Sequence, residues 1–498
     1  DMTTQTVTHP IRPALRLLPL ALAVFFAGCA NLAPDYQTPD APIADSWPQG
    51  EAYGDSNLAG NSTVERTRVA DLPWQTFIQD ERLRNVIQLA LDNNRDLRAT
   101  LADVAAARAT YKGQSAAEYP QIDAALSGAR ARTANSSGGA TTANSAQATV
   151  GLSAYEIDLF GKDSNLTAMD REAWLSSAAT ARAAQITLIS ETANAWLTLA
   201  ADQNLLALAR ETAENARKAM EITRQRLALG VDSRVDLSSA ETTYYSARAD
   251  IASYTTQVAQ DKNALWLLAG HELDTGLLPA ALPDSQQLLT EVAAGIASEV
   301  LLQRPDVLAA EHDLKSAYAN IGVARAAYFP SLSLTATGGL TSAALADLFS
   351  GGATTIWSIA PSLSLPIFTA GGTDADVEYA KAGQQKSLAT YEYTLQTAFR
   401  EVADVLARRG TLQDQLNAET DWVNSAQRSY DLSMARYKLG VDSFQDTLTS
   451  QRTLYSARQS LIATRMTDLS NRINLYRVLG GGLAAETKTT AATAVVTH

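Results

Sequence analysis

The sequence predicts a mainly α-helical, internally duplicated chain in which two pairs of β-strands are set between long helices. Three observations predict it. Landmarks recur at a constant spacing of 210 positions, long stretches free of Gly and Pro are rich in helix formers, and short segments alternate apolar with small polar side chains. Tyr119-Pro120 falls on Phe329-Pro330, Gly161 on Gly371, and Leu229-Gly230-Val231-Asp232-Ser233 on Leu439-Gly440-Val441-Asp442-Ser443. Tyr245-Ser246-Ala247-Arg248 falls on Tyr455-Ser456-Ala457-Arg458, Gly270 on Gly480, and Asp96 and Asp103 on Asp306 and Asp313. A period this long exceeds any solenoid unit and indicates duplication of a domain-sized module.

Residues 1–28 read as a secretory signal. Arg12 and Arg16 precede an apolar stretch from Leu17 to Ala27, about 11 residues and too short to span a bilayer. The stretch ends in Phe26-Ala27-Gly28-Cys29, which holds the single Cys of the chain. It is similar to a bacterial lipobox, where a signal peptidase cuts before the Cys and the thiol receives a diacylglycerol. Phe26 stands where Leu is usual, and a small thiol closing an ordinary signal region is the alternative. Ala30 follows where an Asp would hold a lipoprotein at the inner membrane, so the expected address is the outer membrane, facing the periplasm. Residues 29–81 then run as an extended, Pro-containing segment.

The first structural repeat spans 82–270, with a helix over about 82–117, a β-hairpin over 118–157 and a long helical hairpin over 161–270. Between Gly161 and Gly230 there is neither Gly nor Pro, only a run rich in Ala, Leu, Arg, Glu and Gln, all strong helix formers. One helix over that span would be about 100 Å long. Gly230 reads as its stop, and Asp232 or Ser233 as the N-cap of the next helix. A linker, 271–290, leads to the second repeat, 291–480, with a helix over about 291–327, a β-hairpin over 329–366 and a helical hairpin over 371–480. A Thr/Ala-rich tail, 481–498, is expected to be disordered. The helices are rich in Ala and poor in large apolar residues. That composition suits a solvated stalk, or equally a wall of side-by-side helices enclosing water.

In Ser331-Leu332-Ser333-Leu334-Thr335-Ala336-Thr337-Gly338 the alternation is strict, the pattern of a strand with one wet face. Ile122, Ala124 and Leu126 repeat it in the first hairpin. The return strands place Ala146, Ala148, Val150, Leu152 and Ala154, and Trp357, Ile359, Leu363 and Leu365, on one side. The connecting loops fall at about 134–145 and 341–353. Each strand is about 10 residues, as a tilted membrane-crossing strand requires. Four strands cannot close a barrel, since the smallest membrane barrels have eight, and an open edge is not viable in lipid. Such strands must be completed by further copies of the chain.

The chain carries 40 Lys and Arg against 53 Asp and Glu, a net charge of −13, which argues against nucleic-acid binding. One Cys excludes an intramolecular disulfide framework and a Cys-clustered zinc site. His9, His271, His312 and His498 are scattered, with no nucleophile–base constellation; no enzyme activity is expected.

In order along the chain stand Cys29 with Pro34, Trp74-x-x-Phe77-x-x-Asp80-x-x-Leu83, and Ala90-Leu91-x-x-Asn94-x-Asp96-Leu97. Then come Arg304-Pro305-Asp306-Val307, Tyr328-Phe329-Pro330-Ser331-Leu332, Arg436-Tyr437-Lys438-Leu439-Gly440-Val441-Asp442 and Leu475-Tyr476-Arg477-Val478-Leu479-Gly480-Gly481-Gly482. Together with the duplication, these residues resemble the TolC-like outer-membrane factors, in their lipoprotein (NodT-type) branch. The resemblance implies a homotrimer in which three chains complete a 12-stranded transmembrane β-barrel above a long α-helical barrel. It implies the exit duct of a tripartite efflux pump, passive and without cofactor. A periplasmic adaptor and an inner-membrane transporter, of the resistance-nodulation-division type, would deliver drugs or other small solutes to it.

Within that resemblance, the turns at Arg226, Leu229, Gly230 and Val231 and at Arg436, Leu439, Gly440 and Val441 correspond to the tips that meet the adaptor. Simple helix capping also explains the glycines. The family's aperture commonly uses an Asp three residues before an Arg, but here the stretch is Thr449-Ser450-Gln451-Arg452. The expectation is that Asp446, with Asp442, forms the acid ring instead and that Arg452 latches it, while Asp232 and Asp236 occupy the corresponding zone of the first repeat. Solvated capping acids are the alternative. Two other functions fit the same features: a duct for type I protein secretion, and a structural envelope lipoprotein with a coiled-coil stalk.

Overall fold

The computed structural model describes residues 30–53, 72–134, 138–290 and 298–481. The signal segment, Cys29 and the tail from 482 lie outside them. The chain divides into two compact units, each gathered from separate stretches of sequence. The first contains Ala105–Ser176 and Ala310–Thr390 together with the residues up to Pro39; the second contains Asp40–Val104, Ser177–Ala309 and the residues from Tyr391 onward.

The helices are α1 (Glu81–Asn93), α2 (Arg95–Ala117), α3 (Lys162–Ala228), α4 (Arg234–Ala269), α5 (Pro305–Ala326), α6 (Gly372–Lys438) and α7 (Phe444–Val478). The strands are β1 (Ile122–Ala134), β2 (Ala140–Ile157), β3 (Ser331–Ser342) and β4 (Thr354–Ser364). The duplication is visible in these bounds: the starts of α2, α3 and α4 recur in α5, α6 and α7 at the 210-residue spacing. Helices α3 and α6 are each 67 residues long. No helix among the described residues is long and apolar enough to cross a membrane.

Two expected helices are shorter than their sequence suggested. The stretch 82–117 breaks at Asn94, whose backbone is extended and whose Oδ1 accepts from the Leu97 amide at 2.9 Å, capping α2. An Asn side chain that satisfies an orphan amide favours such a break. In the second repeat α5 begins at Pro305, because Pro has no N–H to donate and fits the first helical position. A 3-10 segment, Ser298–Gln303, precedes it. The β1–β2 connection is also tighter than 134–145, since the strands reach Ala134 and Ala140.

In the second unit the core is built on Ala and a few aromatics. Buried Ala193, Ala200, Ala209, Ala216 and Ala219 line α3, and fully buried Trp196 donates its indole N–H to the Leu277 carbonyl at 3.0 Å. Phe77 and Tyr476 stack at 4.2 Å. Buried Arg304 joins Asp306, Glu401 and the Val478 carbonyl. Gly270 ends α4 at φ 78°, and a Cβ there would lie 2.6 Å from the Asn93 carbonyl oxygen, so only Gly fits.

The first unit carries the sheet, antiparallel throughout, in the order β1-β2-β3-β4. The first described residues seat beside it. Asn165 Nδ2 donates to Asn31 Oδ1 at 2.9 Å, Arg325 donates to the Leu32 carbonyl at 3.0 Å, and Tyr36 hydrogen-bonds Glu311 and meets Tyr318 edge-on.

Candidate functional site

Both helical hairpins of the second unit close through the same turn. Gly230 and Gly440 adopt φ of 76° and 75°, values that other residues reach at a cost. Val231 N–H bonds the Arg226 carbonyl and Gly230 N–H that of Leu227; Val441 and Gly440 do the same to Arg436 and Tyr437, all at 2.9–3.0 Å. This is the left-handed termination that satisfies the last helical carbonyls. It lifts Leu229 and Leu439, each 79% exposed, and Val231 and Val441 into solvent.

Across each turn an Arg reaches an Asp six residues on. Arg226 Nε lies 3.1 Å from both oxygens of Asp232, and Arg436 contacts Asp442 at 2.5 and 2.7 Å. The guanidinium of Arg436 holds the Asp442 carboxyl below its usual range. The first pair is further tied by Tyr437. Its hydroxyl donates to Asp232 at 2.5 Å and lies 3.0 Å from the Thr223 hydroxyl, while the Arg226 guanidinium sits over its ring at 4.8 Å. Burial, then the Asp232 carboxylate, push the Tyr437 phenol up to about 12. Tyr437 packs with Phe444, Leu448, Ala219, Met220 and Ala240 in one apolar cluster, so the two hairpins are joined at their ends.

The expected gate residues are not one constellation within the chain. Asp442 is held by Arg436, and Asp446 accepts from the Ser443 hydroxyl at 2.7 Å. Asp236 completes a capping box with Ser233, and Asp232 belongs to the Tyr437 cluster. Arg452 is exposed, with no carboxylate of the described residues in ion-pair distance. Tyr437, Thr223 and Phe444 were not anticipated. The signal was present in the repeat, where Tyr437 replaces Leu227 and Phe444 replaces Arg234 at matched positions.

A second feature of this unit is a carboxyl pair on α3 and α4. Burial, and then Asp202 alongside, raise the Asp261 carboxyl to about 7, and its Oδ2 is buried without a partner. Asp202 is raised for the same reasons of burial.

In the first unit, strand register lines up the faces. Ile122 pairs Leu152, which pairs Ala336, which pairs Ile359; Ala124, Val150, Gly338 and Trp357 form the next rung on the same side. Ile122, Val150, Trp357, Ile359 and Leu363 on this face are exposed to 55–76%. The other face carries Ser127, Thr149, Gly151, Thr337, Gly339 and Ser358. A Cβ on Gly151 or Gly339 would collide with a neighbouring strand's carbonyl oxygen, so both positions on this wet side are confined to Gly. Among the described residues β1 and β4 have no further strand partner.

A family model described as outer membrane efflux protein matches residues 86–271 and 296–481. The probable efflux pump outer membrane protein TtgC of Pseudomonas putida is 43% identical over 474 residues, 95% of this chain and 96% of that protein. Outer membrane protein OprJ of Pseudomonas aeruginosa is 38% identical over 474 residues, again 95% of this chain and 96% of that protein. Among solved structures, a membrane protein from Pseudomonas aeruginosa superposes with a TM-score of 0.82 at 37% identity, covering 91% of this chain and 100% of that one. The open state of the Neisseria gonorrhoeae MtrE outer membrane channel gives 0.80 at 33% identity, covering 91% and 99%.

Proposed function

Because the chain belongs to the outer membrane efflux protein family, we propose that three copies of it form the outer-membrane exit duct of a tripartite efflux pump. The observation that carries this reading is the four-stranded sheet, apolar on one face, wet on the other, and unpaired at both edges among the described residues. Unpaired edges cannot remain open in lipid, and three such sheets supply twelve strands. The wet, Gly-bearing face turns inward and the apolar face meets lipid. The long helices continue the lumen as a water-filled helical barrel.

The duct performs no chemistry. A periplasmic adaptor docks at the two turns, where exposed Leu and Val flank a glycine that allows close backbone approach. An inner-membrane transporter of the resistance-nodulation-division type selects the solutes, drugs among them. TtgC and OprJ are outer membrane proteins by name, and a second P. putida relative, also 43% identical, is named a toluene efflux pump outer membrane protein. Asp446 and Asp442, repeated by symmetry, would line the aperture, with Arg452 helping to latch it. Cys29 is the site of a lipid anchor. The seat of Asn31 against Gly161, just past the end of β2, supports this reading, since it sets the start of the mature chain at the inner margin of the sheet.

Planar-bilayer recording of the purified protein tests the proposal. Discrete cation-preferring channels are expected from a species with three times the chain mass, in keeping with an acidic lumen. A monomer without conductance would refute it.

A further inference from the structure

Resting on the membrane placement just proposed, the outer end of the sheet presents a charge pattern that the duct does not need. Residues 124–155 contain no Asp or Glu, and Arg130 and Arg132 are their only charges, in a chain of net charge −13. The register sets both on the apolar face. They continue the series Ile122, Ala124, Leu126, Gly128, and they pair with Asn144 and Thr142. Both are exposed, and among the described residues neither has a carboxylate within ion-pair distance. The second hairpin has one charged residue between Ser331 and Ser364, the exposed Asp347 in the turn beyond β3.

Distance along the strands places these two side chains. The lowest apolar rung is Ile157, Leu332 and Leu363. From there to the Arg130 rung is about 40 Å of strand, which at a tilt near 45° is about 28 Å along the bilayer normal. That is close to the apolar band of about 25 Å in membrane barrels. Arg130 therefore emerges where the hydrocarbon ends, at the end of the sheet remote from α2 and α3, and Arg132 lies one rung further out. An arginine on the lipid face is costly at the midplane and tolerated at the interface. There a guanidinium takes a phosphate in bidentate fashion.

We infer that Arg130 and Arg132 form a docking site for the phosphate groups of a phosphorylated glycolipid in the outer leaflet. The face survives assembly, since edge pairing of β1 uses its backbone and leaves its side chains outward. Three copies give three such pairs around the rim. The charge of the guanidinium pair complements a bisphosphorylated headgroup, whereas a zwitterionic headgroup would offer one phosphate already paired with its own cation.

The test uses the full-length protein in detergent, titrated with a bisphosphorylated diglucosamine glycolipid and with its enzymatically dephosphorylated form. Binding is read by native mass spectrometry. Wild type is expected to favour the phosphorylated lipid by roughly 10- to 30-fold, as about 1 kcal/mol for each of two surface cations implies. Arg130→Gln/Arg132→Gln is expected to abolish that preference, and Arg130→Lys/Arg132→Lys to keep most of it, with planar-bilayer conductance unchanged in both. Equal preference in the Gln variant, with wild-type channels present, would overturn the inference alone. Wild-type protein without channels would overturn the duct reading and this site with it.

Discussion

At the turn of the first repeat, Asp232 receives both Arg226 and the Tyr437 hydroxyl, and its side chain is 9% exposed; at the second, Asp442 receives Arg436 alone and is 24% exposed. The backbone is the same in both, down to the glycine dihedral and the two closing hydrogen bonds. Duplication has left one scaffold with two uses. The first turn is a socket and the second supplies the plug, Tyr437, from the last helical turn before its own glycine. A similar divergence lies further along the helices. The Asp202–Asp261 pair of the first repeat is replaced at matched positions by Leu412 and Asn471, where the Asn donates to the Val405 carbonyl at 3.2 Å. Symmetry of chain path therefore coexists with asymmetry of charge.

The comparison can be broken most severely at the free turn. Gly440→Asp is expected to reduce drug resistance of the producing cells to that of a gene deletion, with trimer abundance on immunoblots unchanged. A Cβ at this position meets no atom within 4 Å, so the cost to folding is limited to the left-handed backbone, roughly 1–2 kcal/mol. Wild-type resistance would show that the exposed turn does not dock the adaptor.

Next in size is the plug. Tyr437→Ala removes a fully buried ring and should destabilise the joined tips by about 3–5 kcal/mol, seen as accelerated proteolysis at the two turns. Leu227→Ala, the matched change in the other repeat, should have less than half that effect because Leu227 is only half-buried. Equal sensitivities would dissolve the plug-and-socket distinction.

The carboxyl pair sharpens the contrast through pH. Asp261 keeps its proton in the folded chain up to about 7, whereas an unfolded Asp loses it near 4. Between these values unfolding releases a proton, so stability should fall as pH rises through about 4 to 7 and level off above. Asp261→Asn should flatten that slope in urea titrations across the range, and an unaltered slope would assign the pH dependence elsewhere. The smallest expected effect is at Asp446, whose carboxylate already accepts from Ser443. Asp446→Ala should modestly weaken closure or cation preference in single-channel recordings, and identical traces would leave the residue a helix cap.

Much of this was legible in the sequence. A constant spacing is preserved by matched landmarks, and a run such as Lys162–Ala228 without Gly or Pro has no cause to break. Strand faces were legible wherever period 2 holds, since Leu332, Leu334 and Ala336 cannot change sides without losing the ladder. The expected place of Ala154 beside Leu152 is overturned by a bulge between Leu152 and Tyr155, where Ala154 takes φ 51° and Tyr155 and Ile157 pair with Leu334 and Leu332 instead. What escaped was of two kinds. Asn94 looks helical in composition, and only its side chain's bond to the Leu97 amide makes it a break. The Tyr437 cluster joins positions far apart in the chain, which periodicity cannot pair; the unequal residues at 227 and 437 marked it once the repeats were laid side by side. The Arg226–Asp232 and Arg436–Asp442 clamps were also readable, since both repeats keep the same six-residue interval.

The seat of the first described residues has a consequence for biogenesis. Asn31 is held from Asn165, but Leu32 and Tyr36 are held by Arg325 and Glu311 of α5, 293 and 275 positions downstream. Well over half the polypeptide must emerge from the export machinery before that cradle exists. The leading strap thus stays unfastened while the whole first repeat is exported, and any tether at Cys29 would confine an unfinished chain to the membrane surface during that interval.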